Sequence, residues 1–296
     1  MAIEKNSEIL FVYDAKKTNP NGDMDDENKP RMDHQTDTNL VSDVRLKRYV
    51  RDYLEDFKEK ELFVNDDAED AKAKVEKTID RKTSKQKPIT KEELKRIKDR
   101  FIDIKFFGAV LGTEGGSDHF TGPIQFNWGY SLNKVELQET KTITSKFSDQ
   151  KGVGKDFRVK YSLIAFSGGI NANRVSDEEE NKVKLENSDV ELFDTSLIKS
   201  IPLHRTRSKI GQMPRLYIRV ELKDKQSFLK DLREFVKIDR EKEYNSIEDV
   251  ELDLTPLSEY MKKNDGLIET IHYYKDENLT TKGFDFEQEK CKKIEI

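Results

Sequence analysis

Apolar residues fall in a few short runs along this chain, and the spacing within each run predicts the local structure. Residues 8–14 (EILFVYD) form a continuous apolar run rich in β-forming side chains, which predicts a buried strand. The stretch TNPNGD that follows is typical of a turn. Between 41 and 57, apolar residues recur at spacings of three and four, so a helix with one core-facing side is expected there.

The middle of the chain alternates between apolar and highly charged segments. Residues 58–99 are dominated by Lys, Glu and Asp and predict an exposed, charged helical insertion. Apolar density returns at 101–111 and at 124–135, and in the second stretch apolar and polar residues alternate. These two stretches predict two strands joined by a glycine-rich loop.

The remaining pattern completes the predicted fold. Polar residues 140–160 suggest a projecting hairpin, residues 161–172 a strand, acidic residues 176–194 a helix, and residues 215–222 a further strand. The order strand, helix, strand, strand, helix, strand indicates an α+β fold with a ferredoxin-like βαββαβ core and long helical and hairpin insertions. We expect residues 1–296 to form one domain.

The charge of the chain is unevenly distributed. With 38% charged residues and a formal net charge of −5, the whole chain argues against binding of nucleic acid. However, residues 29–51 carry six Lys and Arg against three Asp, and residues 199–220 carry six and no acid. Arginine donates paired hydrogen bonds to phosphate, so both stretches are candidate phosphate-binding surfaces. A solvated or salt-bridged surface is the alternative for each.

Several other classes of site find no support in the sequence. The single cysteine, Cys291, allows no intrachain disulfide and fits a reducing cytoplasm. No apolar run is long enough to span a bilayer, so we expect a cytoplasmic protein. The four histidines lack the spacing of metal ligands, and GVGKD lacks the residues of a phosphate-binding P-loop. We therefore expect no metal and no cofactor.

A set of ordered motifs resembles a known family. In order, they are NPNGD, PRMD, VSDVRLKRYVRDYL, TGPIQFNWGYSLNKV and IPLHRTRSKIGQMPRLYIRVE. Together they resemble the Cas-seven family, the backbone subunit of type I CRISPR Cascade, most closely its subtype I-B branch. The resemblance runs from the first strand to about residue 220. It implies a modified RNA-recognition-motif core, with 140–160 as the thumb that reaches toward the adjacent subunit.

The resemblance also implies partners and a role. The subunit polymerises along a CRISPR RNA as a helical row, holds the guide without catalysis and presents it for pairing with target DNA. Its protein partners are other copies of itself and the remaining Cascade subunits, namely the RNA 5′-end-capping subunit, the large subunit, the small subunit and the repeat endoribonuclease. Binding to the phosphates and sugars of the RNA, whatever its sequence, suits this role, because base pairing with the target supplies the specificity.

RNA binding is carried over to residues in the matching motifs, and the two basic stretches are expected to form opposite walls of a guide-RNA groove. These residues are Arg31, Arg45, Lys47, Arg48, Asn173, Arg174, His204, Arg205, Arg207 and Lys209. One alternative is a metal-dependent ribonuclease of the related type III kind, which would use Asp33. Another is a soluble enzyme or interaction module whose basic loop binds a small anion or an acidic protein.

Overall fold

The computed structural model describes residues 1–112, 119–143, 154–179 and 181–296. The strands in these ranges are β1 (Ser7–Thr18), β2 (Gly22–Asp23), β3 (Lys29–Pro30), β4 (Met32–Asp33), β5 (Thr38–Val41), β6 (Gly108–Val110), β7 (His119–Thr121), β8 (Ile124–Phe126), β9 (Gly129–Ser131), β10 (Leu137–Ile143), β11 (Gly154–Ile170), β12 (Gln212–Leu222), β13 (Glu251–Asp253), β14 (Ile268–Lys275), β15 (Thr280–Lys282) and β16 (Cys291–Lys293). The α-helices are α1 (Asp43–Lys58), α2 (Ala71–Ile79), α3 (Lys91–Arg100), α4 (Ile102–Phe107), α5 (Asn187–Leu203) and α6 (Thr255–Lys263). No helix in the described ranges is long and apolar enough to cross a membrane.

Ten of the described strands form one large sheet, which makes this a mixed α/β protein. Its main order is β16-β14-β12-β1-β11-β9-β5-β4, with β8 and β10 also paired to β11. β1 lies at the centre and runs antiparallel to both neighbours, so that Phe11 pairs with Phe166 on β11 and with Tyr217 on β12. The predicted strand at 8–14 is therefore the central strand of the sheet.

Both faces of the sheet are covered. On one face, Phe11 and Tyr13 of β1 belong to the same buried cluster as Tyr49 of α1 and Phe193 of α5. On the other face, the alternate residues of β1 pack into a cluster with side chains from the C-terminal part of the chain, among them Leu252 of β13 and Leu257 of α6. Because successive strand residues point to opposite faces, a continuous apolar run is what such a strand requires. Within the described residues, β1 is therefore covered by protein side chains on both faces.

The charged segment 58–99 contributes to a small apolar core that it shares with residues from other parts of the chain. Phe63, Val75 and Ile97 are buried together with Phe101 beside the main domain. The buried carboxylate of Asp103 joins this part to α1, because it accepts hydrogen bonds from the backbone of residue 63 at 2.8 Å and from Arg51 Nε at 2.9 Å. The segment is thus tied to the domain by buried contacts as well as by chain continuity.

Three predicted elements differ from the structure. The expected strand at 101–111 is helix α4 followed by the short strand β6, because nearly every side chain there is buried and burial on all sides removes the periodic signal. The expected acidic helix at 176–194 begins only at Asn187 and continues to Leu203, since its apolar core-facing positions lie in that later part. The stretch 124–135 is also divided, into β8 and β9.

The base of the predicted hairpin lies within the described residues. β10 and β11 pair antiparallel from Leu137 opposite Val159 to Ile143 opposite Gly154. Residues 144–153, the distal part of the candidate thumb at 140–160, lie outside the described residues.

Candidate nucleic-acid interface

The basic loop 204–211 joins α5 to β12 and is held against the end of β1. The backbone N–H of Lys16 donates to the Gly211 carbonyl at 2.9 Å, and that of Asn19 donates to the Ser208 carbonyl at 3.0 Å. Gly211 has a φ of +107°, and a Cβ there would lie 2.6 Å from the Lys16 carbonyl oxygen. Only glycine combines this backbone conformation with so close an approach, so Gly211 fixes the loop beside β1.

Two arginines project from this loop into solvent. The Arg207 side chain is 66% exposed, and its contact with Asp156 is a long one of 3.4 Å. Arg205 is also exposed, and its Nε reaches the Pro202 carbonyl at 3.4 Å. Such long, exposed contacts hold a side chain weakly. Both guanidinium groups are therefore available to a phosphate at little cost.

Lys209 has a different role, because its amino group points inward. Its Nζ donates to the carbonyl oxygens of Asn19 at 2.5 Å and of Pro20 at 3.2 Å. Burial, together with the positive charge of Arg45, lowers the pKa of Lys209 to about 7. Lys209 braces the loop against the segment after β1 and adds to the positive potential only while it is protonated.

Helix α1 contributes the neighbouring part of the surface. The guanidinium of Arg45 stacks 4.0 Å above the Tyr49 ring, and its Nε and Nη2 atoms are buried without a hydrogen-bond partner in the described structure. Arg48 is 43% exposed and pairs with Asp52 at 2.5 Å. These two cations lie on the side of α1 that meets the basic loop.

His204 connects the helix to the loop. Its ring packs edge-on against Tyr49 with centroids 5.2 Å apart, and its Nδ1 lies 3.3 Å from a carboxylate oxygen of Asp52. Burial and the charge of Arg45 lower the pKa of His204, so at neutral pH it offers a neutral ring. The two basic stretches are therefore in direct contact at His204 and adjoin in one surface, and the expectation that they form opposite walls of a guide-RNA groove stays a prediction.

We call this surface the basic cluster. Its members are Arg45, Arg48, His204, Arg205, Arg207 and Lys209. The aromatic ring of Tyr49 packs against His204, and the carboxylate of Asp52 pairs with Arg48, so these two residues hold the side chains of the cluster in place. Sequence reasoning missed both supporting residues, although their spacing from Arg45 and Arg48 along a helix places each beside its partner.

The other four predicted binding residues interact with groups outside the basic cluster or lie outside it. Lys47 donates to Asp43 at 3.0 Å and to Gln125 at 2.9 Å, on the other side of α1. Arg31 pairs with Asp23 at 2.9 Å. Asn173 donates to the Lys225 carbonyl, and exposed Arg174 follows it.

Asn173 and Arg174 also lie at the far end of the central sheet. They follow the end of β11 that pairs with Ser7, whereas the basic loop lies beside Lys16 at the other end of β1. At a rise of about 3.3 Å per residue, the length of β1 separates them by roughly 30 Å. The structure therefore does not bring Asn173 and Arg174 to the basic cluster.

Two arginines counted in the acid-free stretch 199–220 face the interior. Arg219 pairs with Asp194 of α5 at 2.8 Å, with side chains 4% exposed. Arg215 bridges Asp14 at 2.9 Å and Asp276 at 2.8 Å. Their acidic partners come from distant parts of the chain, so counting charges within the stretch could not detect them.

Asp33, the residue of the ribonuclease alternative, closes a small turn. Its carboxylate accepts hydrogen bonds from Thr36 Oγ1 at 2.7 Å and from the backbone of Gln35 at 3.0 Å, which lower its pKa. In the described ranges there is no group of three or more His, Cys, Asp or Glu side chains that could hold a metal ion.

Comparison with known proteins identifies the family. Residues 5–255 match the family model described as CRISPR-associated protein Cas7. A curated relative, the CRISPR-associated protein Cas7 of Haloferax volcanii, is 31% identical over 314 aligned residues, which cover 92% of this chain and 87% of the relative.

Solved structures give a similar fold at low sequence identity. A chain of a CRISPR RNA-guided surveillance complex, pre-nicking, superimposes with a TM-score of 0.56 and 14% identity, covering 95% of this chain and 96% of that one. A chain of a second CRISPR RNA-guided surveillance complex gives 0.53 and 13%, with coverages of 93% and 90%. The family-model match and the identity to the Haloferax volcanii relative show that the chain belongs to the Cas7 family of CRISPR-associated proteins.

Proposed function

We propose that this Cas7 protein is a non-catalytic backbone subunit of a type I Cascade complex, of the I-B branch, which binds CRISPR RNA through the basic cluster. The observation that carries this proposal is the meeting of α1 and the loop 204–211, far apart in sequence, in one cationic surface. On a chain with a net charge of −5, such a surface concentrates positive potential at one place.

The connectivity of the sheet supports an RNA-recognition-motif core. In support of it, β12, β1, β11 and β9 are adjacent in that order and antiparallel, with α1 after β1 and α5 after β11, as a ferredoxin-like βαββαβ unit would require. Because both sheet faces are covered, the guide passes along the loops at the end of β1 and not across the open sheet. The insertion 58–99 and the thumb 140–160 are parts of this single domain.

The chemistry of the exposed side chains suits a guide of any sequence. Arg205 and Arg207 present guanidinium groups without strong intramolecular partners, and these bind phosphates regardless of the base attached. The bases then remain free to pair with a target DNA strand. Further copies of the chain continue the row along the RNA, and the other Cascade subunits complete the complex in the cytoplasm.

The test is whether the purified protein carries RNA. Expressed in cells that make CRISPR RNA, it should copurify with RNA, and electron microscopy should show elongated or helical oligomers. The Arg205→Ala/Arg207→Ala variant should retain less RNA at the same protein yield. Nucleic-acid-free monomers from such cells would contradict the proposal.

The non-catalytic part of the proposal has its own test. The assembled protein is incubated with Mg²⁺ and RNA complementary to the guide. Binding without cleavage is expected, because Asp33 is engaged in its own turn. Cleavage that is abolished by Asp33→Ala would establish the ribonuclease alternative instead.

A further inference from the structure

The single tryptophan of the chain, Trp128, is 42% exposed in the connection between β8 and β9. An indole buries a large apolar area when it is covered, so a partly exposed tryptophan offers a large flat surface to a planar ligand. The basic cluster does not explain this exposure.

The backbone that carries Trp128 is fixed on both sides. Its N–H hydrogen-bonds to Asn127 Oδ1 at 2.8 Å, and its carbonyl accepts from Arg233 Nη1 at 2.7 Å. The next residue, Gly129, packs so closely on Phe166 that an added Cβ would lie 2.4 Å from the ring. The exposed indole therefore stands on a rigid support, which lowers the entropy lost when a planar ligand stacks on it.

Arginines flank the tryptophan. The Arg31 guanidinium lies 5.9 Å from the indole centroid, with its side chain 32% exposed and its Nε buried without a partner in the described structure. Arg233 is buried, stacks 4.5 Å from Tyr130 and pairs with Asp231. Arg31 thus borders the exposed indole, whereas Arg233 only positions the backbone.

The tryptophan also adjoins the start of α1. Gly129 pairs with Val41, the residue before the N-cap Ser42, and Asn21 accepts hydrogen bonds from Ser42. Asn21 directly follows Pro20, to which Lys209 of the basic cluster donates. A series of contacts and chain neighbours therefore connects the segment that carries the indole to the basic cluster.

We propose that Trp128 is a stacking platform for one nucleobase of the bound single-stranded RNA, with Arg31 beside it as the group that meets the sugar–phosphate of that nucleotide. Aromatic rings and arginine planes are the groups on which unpaired RNA bases stack. The inference rests on the proposed function, because the RNA is the ligand of the basic cluster.

The chain supplies its own reporter, since all of its tryptophan fluorescence comes from Trp128. The full-length protein is titrated with a short oligoadenylate and with an abasic oligoribonucleotide of the same length, while anisotropy of a labelled strand records binding independently. Oligoadenylate should quench and shift the emission, whereas the abasic strand should bind more weakly and leave it nearly unchanged.

Variants separate stacking from a structural role. Trp128→Ala should weaken oligoadenylate binding by about 5- to 150-fold while changing abasic binding little, and Trp128→Phe should restore much of the affinity. Binding of oligoadenylate with unchanged emission, or equal quenching by the abasic strand, would overturn the stacking role and leave the proposed function intact. Failure of both strands to bind would count against the proposed function and against Trp128 together. Emission that changes with protein concentration alone would assign the indole to a protein contact and refute the proposal.

Discussion

Removing the two exposed arginines of the basic loop should weaken RNA binding without destabilising the protein. The double variant Arg205→Ala/Arg207→Ala loses only two 3.4 Å contacts among those described above, one with the Pro202 carbonyl and one with the Asp156 carboxylate. Surface changes of this kind alter the free energy of unfolding by about 0.5 kcal/mol or less. The melting temperature should therefore stay close to that of the unchanged protein.

The size of the binding effect follows from the release of counterions. Each phosphate neutralised on single-stranded nucleic acid contributes about −0.7 to the slope of log K against log salt concentration, so two fewer neutralised phosphates should flatten the slope by about 1.4. Over a fourfold rise in salt, the affinity of the unchanged protein should fall about sevenfold more than that of the variant. Fluorescence anisotropy with a labelled single-stranded RNA at several salt concentrations measures both slopes.

A matched control removes the same charge elsewhere. Lys262 and Lys263 are exposed at the end of α6, on the side of the sheet opposite α1 and α5. The variant Lys262→Ala/Lys263→Ala should leave the slope unchanged. Equal slopes for the unchanged protein and the arginine variant, or equal flattening in the lysine control, would refute the assignment of the RNA to the basic loop.

Three further predictions concern the stability of the framework. Between about pH 7 and 10.5, Lys209 is protonated in the unfolded state but largely deprotonated in the folded state. The free energy of unfolding should therefore rise with pH in this window. Urea titrations of the Lys209→Met variant should not show this rise. Asp194→Ala leaves Arg219 buried without its partner and should cost about 3–5 kcal/mol in the same assay, whereas a loss under about 1 kcal/mol would contradict the pairing. Gly211→Ala forces a Cβ against Lys16 at a positive φ and should lower the melting temperature, with reduced RNA affinity because the loop is displaced.

The local elements were largely predictable where one physical requirement set the pattern. β1 is buried on both faces, which demands a continuous apolar run, and α1 is buried on one side, which demands apolar spacings of three and four. Segment 102–107 is buried all round, so its apolar residues carry no period, and the helix α4 was mistaken for a strand.

The basic loop was identified from the sequence, but its surroundings were not. A count of charges cannot distinguish exposed Arg207 from Arg219, because the acidic partner of Arg219 lies on α5 and is brought to it only by the folded sheet. The same limit applies to His204, whose contacts with Tyr49 and Asp52 depend on the packing of α5 against α1. Long-range pairing is thus the information that local patterns lack.

The covering of the second sheet face was also not predicted. Residues after 223 alternate charged stretches with short apolar runs, and each run alone is too short to indicate where it packs. In the structure these runs meet on β1 and β12, where Leu252 and Leu257 are fully buried. Their burial covers the central strands of the sheet on this face in the described part of the chain.

The most direct test of the central claim is ultraviolet crosslinking of the RNA that copurifies with the protein, followed by mass spectrometry of the crosslinked peptides. We expect crosslinks in the peptides that contain residues 204–211 and the first half of α1. Crosslinks confined to the other end of the sheet, around Asn173 and Arg174, or the absence of copurifying RNA, would contradict the claim that the basic cluster holds the guide.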